Sequence, residues 1–142
     1  MKKTKARIGI IVLVVIIAIQ FWPVERTNPP VLSDIEAPQE VKAVLHAACY
    51  DCHSNETRWP WYSYVAPASW LVTSDVTEAR EHLNLSEWPS DAGDRAEAAE
   101  HMWKHVKDGE MPLFMYRVAH SEARLSESQK QIIRNWAEFP RQ

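Results

Sequence analysis

The rhythm of apolar and polar positions changes twice along the chain. From Ile8 to Trp22 the apolar residues are nearly continuous, broken only by Gln20, and they follow Lys2, Lys3, Lys5 and Arg7. From Pro23 to Pro38 periodicity stops, and Pro23, Pro29, Pro30 and Pro38 favour an extended, semi-rigid stretch. From Glu40 onward the apolar residues recur at three- and four-residue spacing. Val41, Val44, Leu45 and Ala48 mark one helix that leads straight into Cys49. A second is predicted from Pro67 to about Leu83, with Trp70, Leu71, Val76 and Ala79 as its apolar contacts. Ser90 or Asp91 can cap a third, which carries Ala99, Met102, Trp103 and Val106 and stops at Gly109. Ser126 and Gln129 have capping-box spacing ahead of Ile132, Ile133 and Trp136, with Pro140 closing that last helix. Only three glycines and no alternating runs argue against a sheet. The pattern predicts an all-α domain of about four short helices.

The basic-then-apolar N-terminus has the form of a signal sequence. Neither Ala18-Ile19-Gln20 nor Pro23-Val24-Glu25 makes a small-x-small cleavage site, so the expectation is an uncleaved anchor, a single transmembrane helix. The run reaches the span of about 17 residues that a bilayer needs only if Lys5 and Arg7 snorkel and Trp22 sits at the interface. The excess of basic residues on the N-terminal side places that end in the cytoplasm. The expected location is therefore the bacterial inner membrane, single-pass, with the rest of the chain in the periplasm. The chain divides on this reading into an anchor (1–24), a proline-containing tether (25–38) and one domain (39–142).

Charge sharpens the expectation about partners. The whole chain has a formal net charge of −3, but residues 1–26 hold five of the 16 basic and one of the 19 acidic side chains, leaving 11 against 18, a net −7. Such an acidic domain disfavours nucleic acid and suits partner proteins with basic docking faces.

Both cysteines of the chain fall in Cys49-Tyr50-Asp51-Cys52-His53. C-x-x-C-H is the attachment signature of a c-type haem. Two thiols three residues apart at a helix end can each form a thioether with a haem vinyl group. The next residue is then held under the porphyrin, where its imidazole reaches the iron. A thioredoxin-like redox pair would need a βαβ context that is missing. A zinc site could recruit His101 and His105, but the spacing is far beyond that of a zinc finger. A disulfide across two residues closes too small a loop to stabilise much. One covalent haem c per chain is the expected cofactor, with His53 as an iron ligand.

A second axial ligand has several candidates. Met111, in GEMPLFMY, stands between a helix-ending glycine and Pro112, on a loop from which it can point inward. Met115 is its nearest rival. Met102 belongs to a helix stripe, where a core methionine is the plainer reading. His46, His82, His101, His105 and His120 remain alternatives, as does an open site. Trp59, Trp61, Tyr62, Tyr64 and Trp70 are expected to wall the haem pocket or, if exposed, to form a docking patch. Arg58, Trp59 and Trp61 are candidate hydrogen-bond donors to a haem propionate.

With CYDCH, NETRWPWYSYVAP, the GEMP loop and ARLSESQKQIIRNW together, the chain resembles the bacterial haem-binding domain family of exported, membrane-anchored monohaem c-type cytochromes. The resemblance runs from about Arg26 to Trp136. It implies haem on Cys49 and Cys52, His53 as proximal ligand and a methionine at the Met111 position as distal ligand. It also looks like a small cytochrome c, in which a methionine loop precedes a C-terminal helix. The expected function is single-electron transfer by a His/Met-ligated haem, not an enzyme activity. The alternative from another class is a sensor or binder of a diatomic gas with a displaceable or absent sixth ligand. An enzyme such as a peroxidase would need acid/base groups around an open iron, and none is evident near GEMPLFMY.

Overall fold

The computed structural model describes residues 2–138; Pro140, expected to close the last helix, lies outside them. Among the described residues there are seven α-helices and no strands: α1 (Lys2–Ile19), α2 (Gln39–Ala48), α3 (Tyr50–His53), α4 (Ala68–His82), α5 (Ala92–Lys107), α6 (Phe114–Ala119) and α7 (Glu127–Glu138). Short 3-10 turns occupy Trp61–Tyr64 and Ser121–Ala123. The all-α expectation therefore holds, and the extra helices are short ones that periodicity cannot register.

The transmembrane expectation does not hold. No helix among the described residues is long and apolar enough to cross a membrane. The charges are the reason: α1 has 18 residues, and Lys2, Lys3, Lys5 and Arg7 occupy its first third. What remains, Ile8 to Ile19, is about 18 Å of helix at about 1.5 Å per residue, against a hydrocarbon core of about 30 Å. Phe21 and Trp22, which the reading from sequence added to the span, lie beyond the helix end. Gln20 is diverted to the domain, where its side chain donates to Ala66 O (3.2 Å) and accepts from Ala66 N (2.9 Å). A single-pass inner-membrane location is accordingly unsupported.

The caps were well signalled. Asp91 accepts from Gly93 N and Asp94 N at the start of α5, and Gly109 adopts φ 75° just past its end, a left-handed position suited to glycine. At α7 the capping box is complete: Ser126 N donates to Gln129 Oε1 (2.9 Å) and Gln129 N to Ser126 Oγ (3.3 Å). The buried face of α4 is Ser69, Thr73 and Val76, while Trp70 and Leu71, expected as core contacts, are exposed. Thr73 can be buried because its hydroxyl donates to Ser69 O at 2.8 Å, which leaves no unmet polar group.

α5 packs on α7, α7 on α2, and α4 on α3 and the Trp61–Tyr64 turn. The core between them joins Ile35, Val41, Val44, Leu45, Tyr50, Leu85, Trp88, Met102, Val106 and Ile133. Met102 is thus the core methionine that its stripe predicts. The proline-containing stretch is extended and also docked. Ile35 is fully buried, Leu32 N and Ser33 N both donate to Ser86 O (2.9 and 3.0 Å), and Ser33 forms an isolated parallel bridge with Glu87.

Candidate haem site

α2 delivers the first cysteine. Its apolar stripe is buried, and the chain continues through Cys49 N donating to Leu45 O (2.8 Å). One helical turn follows, with Cys52 N and His53 N both donating to Cys49 O (3.1 and 2.8 Å). That turn places the two sulfurs on one side of the chain. Both cysteines are free and, as whole residues, half-buried, with the thiols themselves turned toward the protein. Burial, and then the neighbouring Cys52, pushes the Cys49 thiol up to about 12. Burial, with Asp51 and Asp75 adding to it, pushes Cys52 up to about 11. Such thiols stay protonated near neutral pH, unlike the low-pKa thiolate of a redox pair.

His53 is oriented by backbone. Its Nδ1 lies 3.1 Å from Ala79 O and 3.0 Å from Leu83 O, at the C-terminal end of α4. Carbonyls only accept, so Nδ1 carries the proton and Nε2 keeps its lone pair, the arrangement a metal-ligating imidazole requires. Burial lowers the basicity of this imidazole below its ordinary value, against the opposing pull of the Leu83 and Ala79 carbonyls. The neutral, ligand-competent form is therefore the one favoured here. The loop after α4 returns the support: Leu85 N donates to His53 O at 2.7 Å.

A polar framework surrounds the turn. Ser54 Oγ donates to Tyr50 O (2.7 Å), and Asn55 Nδ2 donates to Pro30 O (2.9 Å) while its Oδ1 accepts from Asn84 (2.9 Å). Arg80, on α4, is the hub. Its guanidinium donates to Ser54 O, Thr27 O, Asn28 Oδ1 and Thr57 Oγ1 at 2.8–3.2 Å. These neutral acceptors fasten the turn, the extended N-terminal stretch and α4 together. Nothing in the sequence singles out Arg80; it reads as a polar residue on a solvated helix face.

Asp51, between the cysteines, is buried and accepts three kinds of donor: Arg58 N (3.3 Å), the Arg58 guanidinium (3.1 and 3.4 Å) and Tyr116 Oη (2.8 Å). Arg58, the expected propionate donor, is exposed and pairs with Asp51 between the cysteines. Tyr116 belongs to α6, so Asp51 pins the segment following Met111 onto the Cys49–His53 turn. Tyr116 also stacks on His120 (centroids 4.2 Å apart), whose Nε2 meets Tyr62 Oη at 2.7 Å. His120 is thus occupied by neighbours, as a pocket residue would be.

Met111 is half-buried, packs against the same core as Cys49, and is held by Met111 N donating to His105 O (3.1 Å). Met115 is 69% exposed. Of the aromatic candidates, Trp59 is half-buried and Trp61 is 77% exposed, and Tyr64 and Trp70 are also exposed. A cleft of about 910 Å³ opens on another face, lined by Ile35, Val41, Trp88, Ile132 and Trp136, and includes none of the motif residues.

The side chains fit a haem on three counts. The donor set is right: two free thiols on one turn and an imidazole whose Nε2 is left available. α6 buries none of its residues, and Leu113, Phe114, Met115 and Val118 expose apolar surface beside the pinned Tyr116, a patch that a porphyrin face can cover. Arg117 Nε, one residue further, is buried with no hydrogen-bond partner among the described residues, a demand for an acceptor that a propionate would meet.

Comparison with known proteins agrees in kind. No curated protein matches the chain, and no solved structure does. The family description "haem-binding domain" matches residues 14–139, nearly the whole chain. The chain belongs to the haem-binding domain family.

Proposed function

We infer that the protein is a monohaem c-type cytochrome that carries single electrons between partner proteins. The observation that carries this reading is His53: placed directly behind Cys49 and Cys52, its Nδ1 is turned onto two carbonyls so that Nε2 is presented as a ligand. When bound, haem supplies the one-electron chemistry of its iron. The chain's own part is to hold and shield it. Cys49 and Cys52 would attach it, His53 would ligate it, and Met111 would supply the second ligand from a loop fixed to His105. Arg117, whose buried Nε has no hydrogen-bond partner among the described residues, would meet one propionate, and exposed Arg58 is a candidate for the other. Trp59 packs at the pocket edge, and exposed Trp61 contributes to a docking surface for a redox partner. Oxidation-state change with little rearrangement suits such a rigid proximal frame, and the acidic balance of the domain suits partners with basic faces.

Optical spectra of the haem-loaded protein test this reading. The expected ferric spectrum is low-spin with the weak far-red band of methionine ligation. Met111→Ala abolishes that band and lets the ferrous protein bind carbon monoxide. A wild-type protein that is high-spin and binds carbon monoxide at neutral pH would overturn electron transfer and favour a gas-binding role.

A further inference from the structure

His101 and His105 stand one turn apart on α5, away from the cysteines in sequence, and the haem reading uses neither side chain, only the backbone carbonyl of His105 that accepts from Met111 N. Their rings meet edge to face with centroids 4.5 Å apart, and their Nε2 atoms are 3.2 Å from each other. The Nδ1 of His105 is hydrogen-bonded to a carboxylate oxygen of Glu110. A carboxylate only accepts, so Nδ1 of His105 carries the proton and its Nε2 has the lone pair. Glu110 is itself held, because the left-handed Gly109 folds the chain back and Glu110 N donates to His105 O at 3.0 Å.

We propose that His101 and His105 form a surface chelate for a divalent transition-metal ion, with Glu110 as the carboxylate that orients His105. Two imidazole nitrogens on a tetrahedral ion with metal–nitrogen bonds of about 2.0–2.1 Å sit about 3.3 Å apart, so the pair already has the required bite. Imidazole ligands select zinc, copper and nickel over magnesium or calcium. Glu110 to His105 to metal is the carboxylate–histidine arrangement that fixes tautomer and ring orientation in metal sites. His101 is exposed and His105 partly so, which leaves the metal open to solution. Among the described residues no three histidine, cysteine or carboxylate side chains converge on one point, so water completes the coordination. Glu97 and Glu100, on the same helix, add negative charge that favours a cation, and Lys104 opposes it.

The test is titration of the full chain with Zn²⁺ by calorimetry and with Cu²⁺ by electron paramagnetic resonance. Cys49 and Cys52 are blocked first, by haem or by alkylation, so the outcome does not depend on the haem reading. The expected result is one high-affinity equivalent of metal, with a Cu²⁺ spectrum showing two nitrogen donors. His101→Ala or His105→Ala should remove one nitrogen from that spectrum and weaken Zn²⁺ binding at least tenfold; Glu110→Gln should weaken it by about tenfold while both nitrogens remain. Circular dichroism checks that these exposed substitutions leave the fold intact. Absence of saturable binding, or binding unchanged in the His101→Ala/His105→Ala double variant, would overturn the proposal.

Discussion

The two sides of the candidate haem site are built on opposite plans. On the His53 side, buried polar residues are tied into a closed network: Ser54, Asn55 and Thr57 are each hydrogen-bonded, and Arg80 joins them to α4 and to the extended stretch. On the Met111 side, α6 buries none of its residues and is tied to the attachment turn chiefly by Tyr116 on Asp51. The difference teaches where rigidity is placed. The His53 imidazole is aimed by the protein alone, whereas α6 relies on the hydrogen bond from Tyr116 to Asp51. A preformed His53 side also suits the covalent attachment proposed above, which would need both thiols and the imidazole presented together.

The sharpest way to break this contrast is at Arg80. Arg80→Leu strips donors from two backbone carbonyls, Thr57 and Asn28, and should cost about 4 kcal/mol of folding stability, at about 1 kcal/mol for each of the four hydrogen bonds, in urea unfolding of the haem-free chain. A loss under 1 kcal/mol would show that the proximal frame is not what holds the fold. Next is the anchor itself. Tyr116→Phe removes a hydrogen bond to a buried carboxylate and should cost about 1.5 kcal/mol; with Asp51→Asn the two losses should be coupled by about 1 kcal/mol in a double-mutant cycle. Strict additivity would mean that the contact does not join the two sides.

A smaller effect is expected at Arg117. A guanidinium near the haem favours the less positive ferrous state, so Arg117→Gln should lower the reduction potential by tens of millivolts in a redox titration. Arg58→Gln should change it less, because the Arg58 side chain is 70% exposed and its charge is screened by solvent.

The smallest concerns Asp34, at the edge of the docked stretch. Burial raises its pKa, but hydrogen bonds from Lys42 (2.6 Å) and Tyr50 (2.7 Å) outweigh that and leave it below its ordinary 3.8. A depressed carboxylate stabilises the fold above its unfolded pKa and loses that contribution as pH falls through the lower folded value. Asp34→Asn should therefore flatten the stability curve below about pH 4, by less than about 1 kcal/mol because the pair is partly exposed. An unchanged acid limb would exclude the interaction.

What the sequence made legible was whatever rests on local chemistry. The C-x-x-C-H turn, the Ser126–Gln129 capping box, Asp91 and Gly109 act within a few residues of themselves, and each stands where its spacing put it. What it hid rests on contacts between distant segments. Arg80 meets Thr27 across half the domain, and Tyr116 meets Asp51 from a helix too short to show periodicity. The anchor expectation failed for a different reason: hydropathy counts Phe21 and Trp22 as span, but the helix ends at Ile19 and its first third is charged.

Covalent attachment of haem through Cys49 and Cys52 is the claim on which the rest depends. Mass spectrometry under denaturing conditions, on the full chain produced with a c-type haem assembly system, tests it directly. The account predicts a mass raised by one haem and no thiol left to react with iodoacetamide. A chain at its bare mass with both thiols alkylated would contradict it.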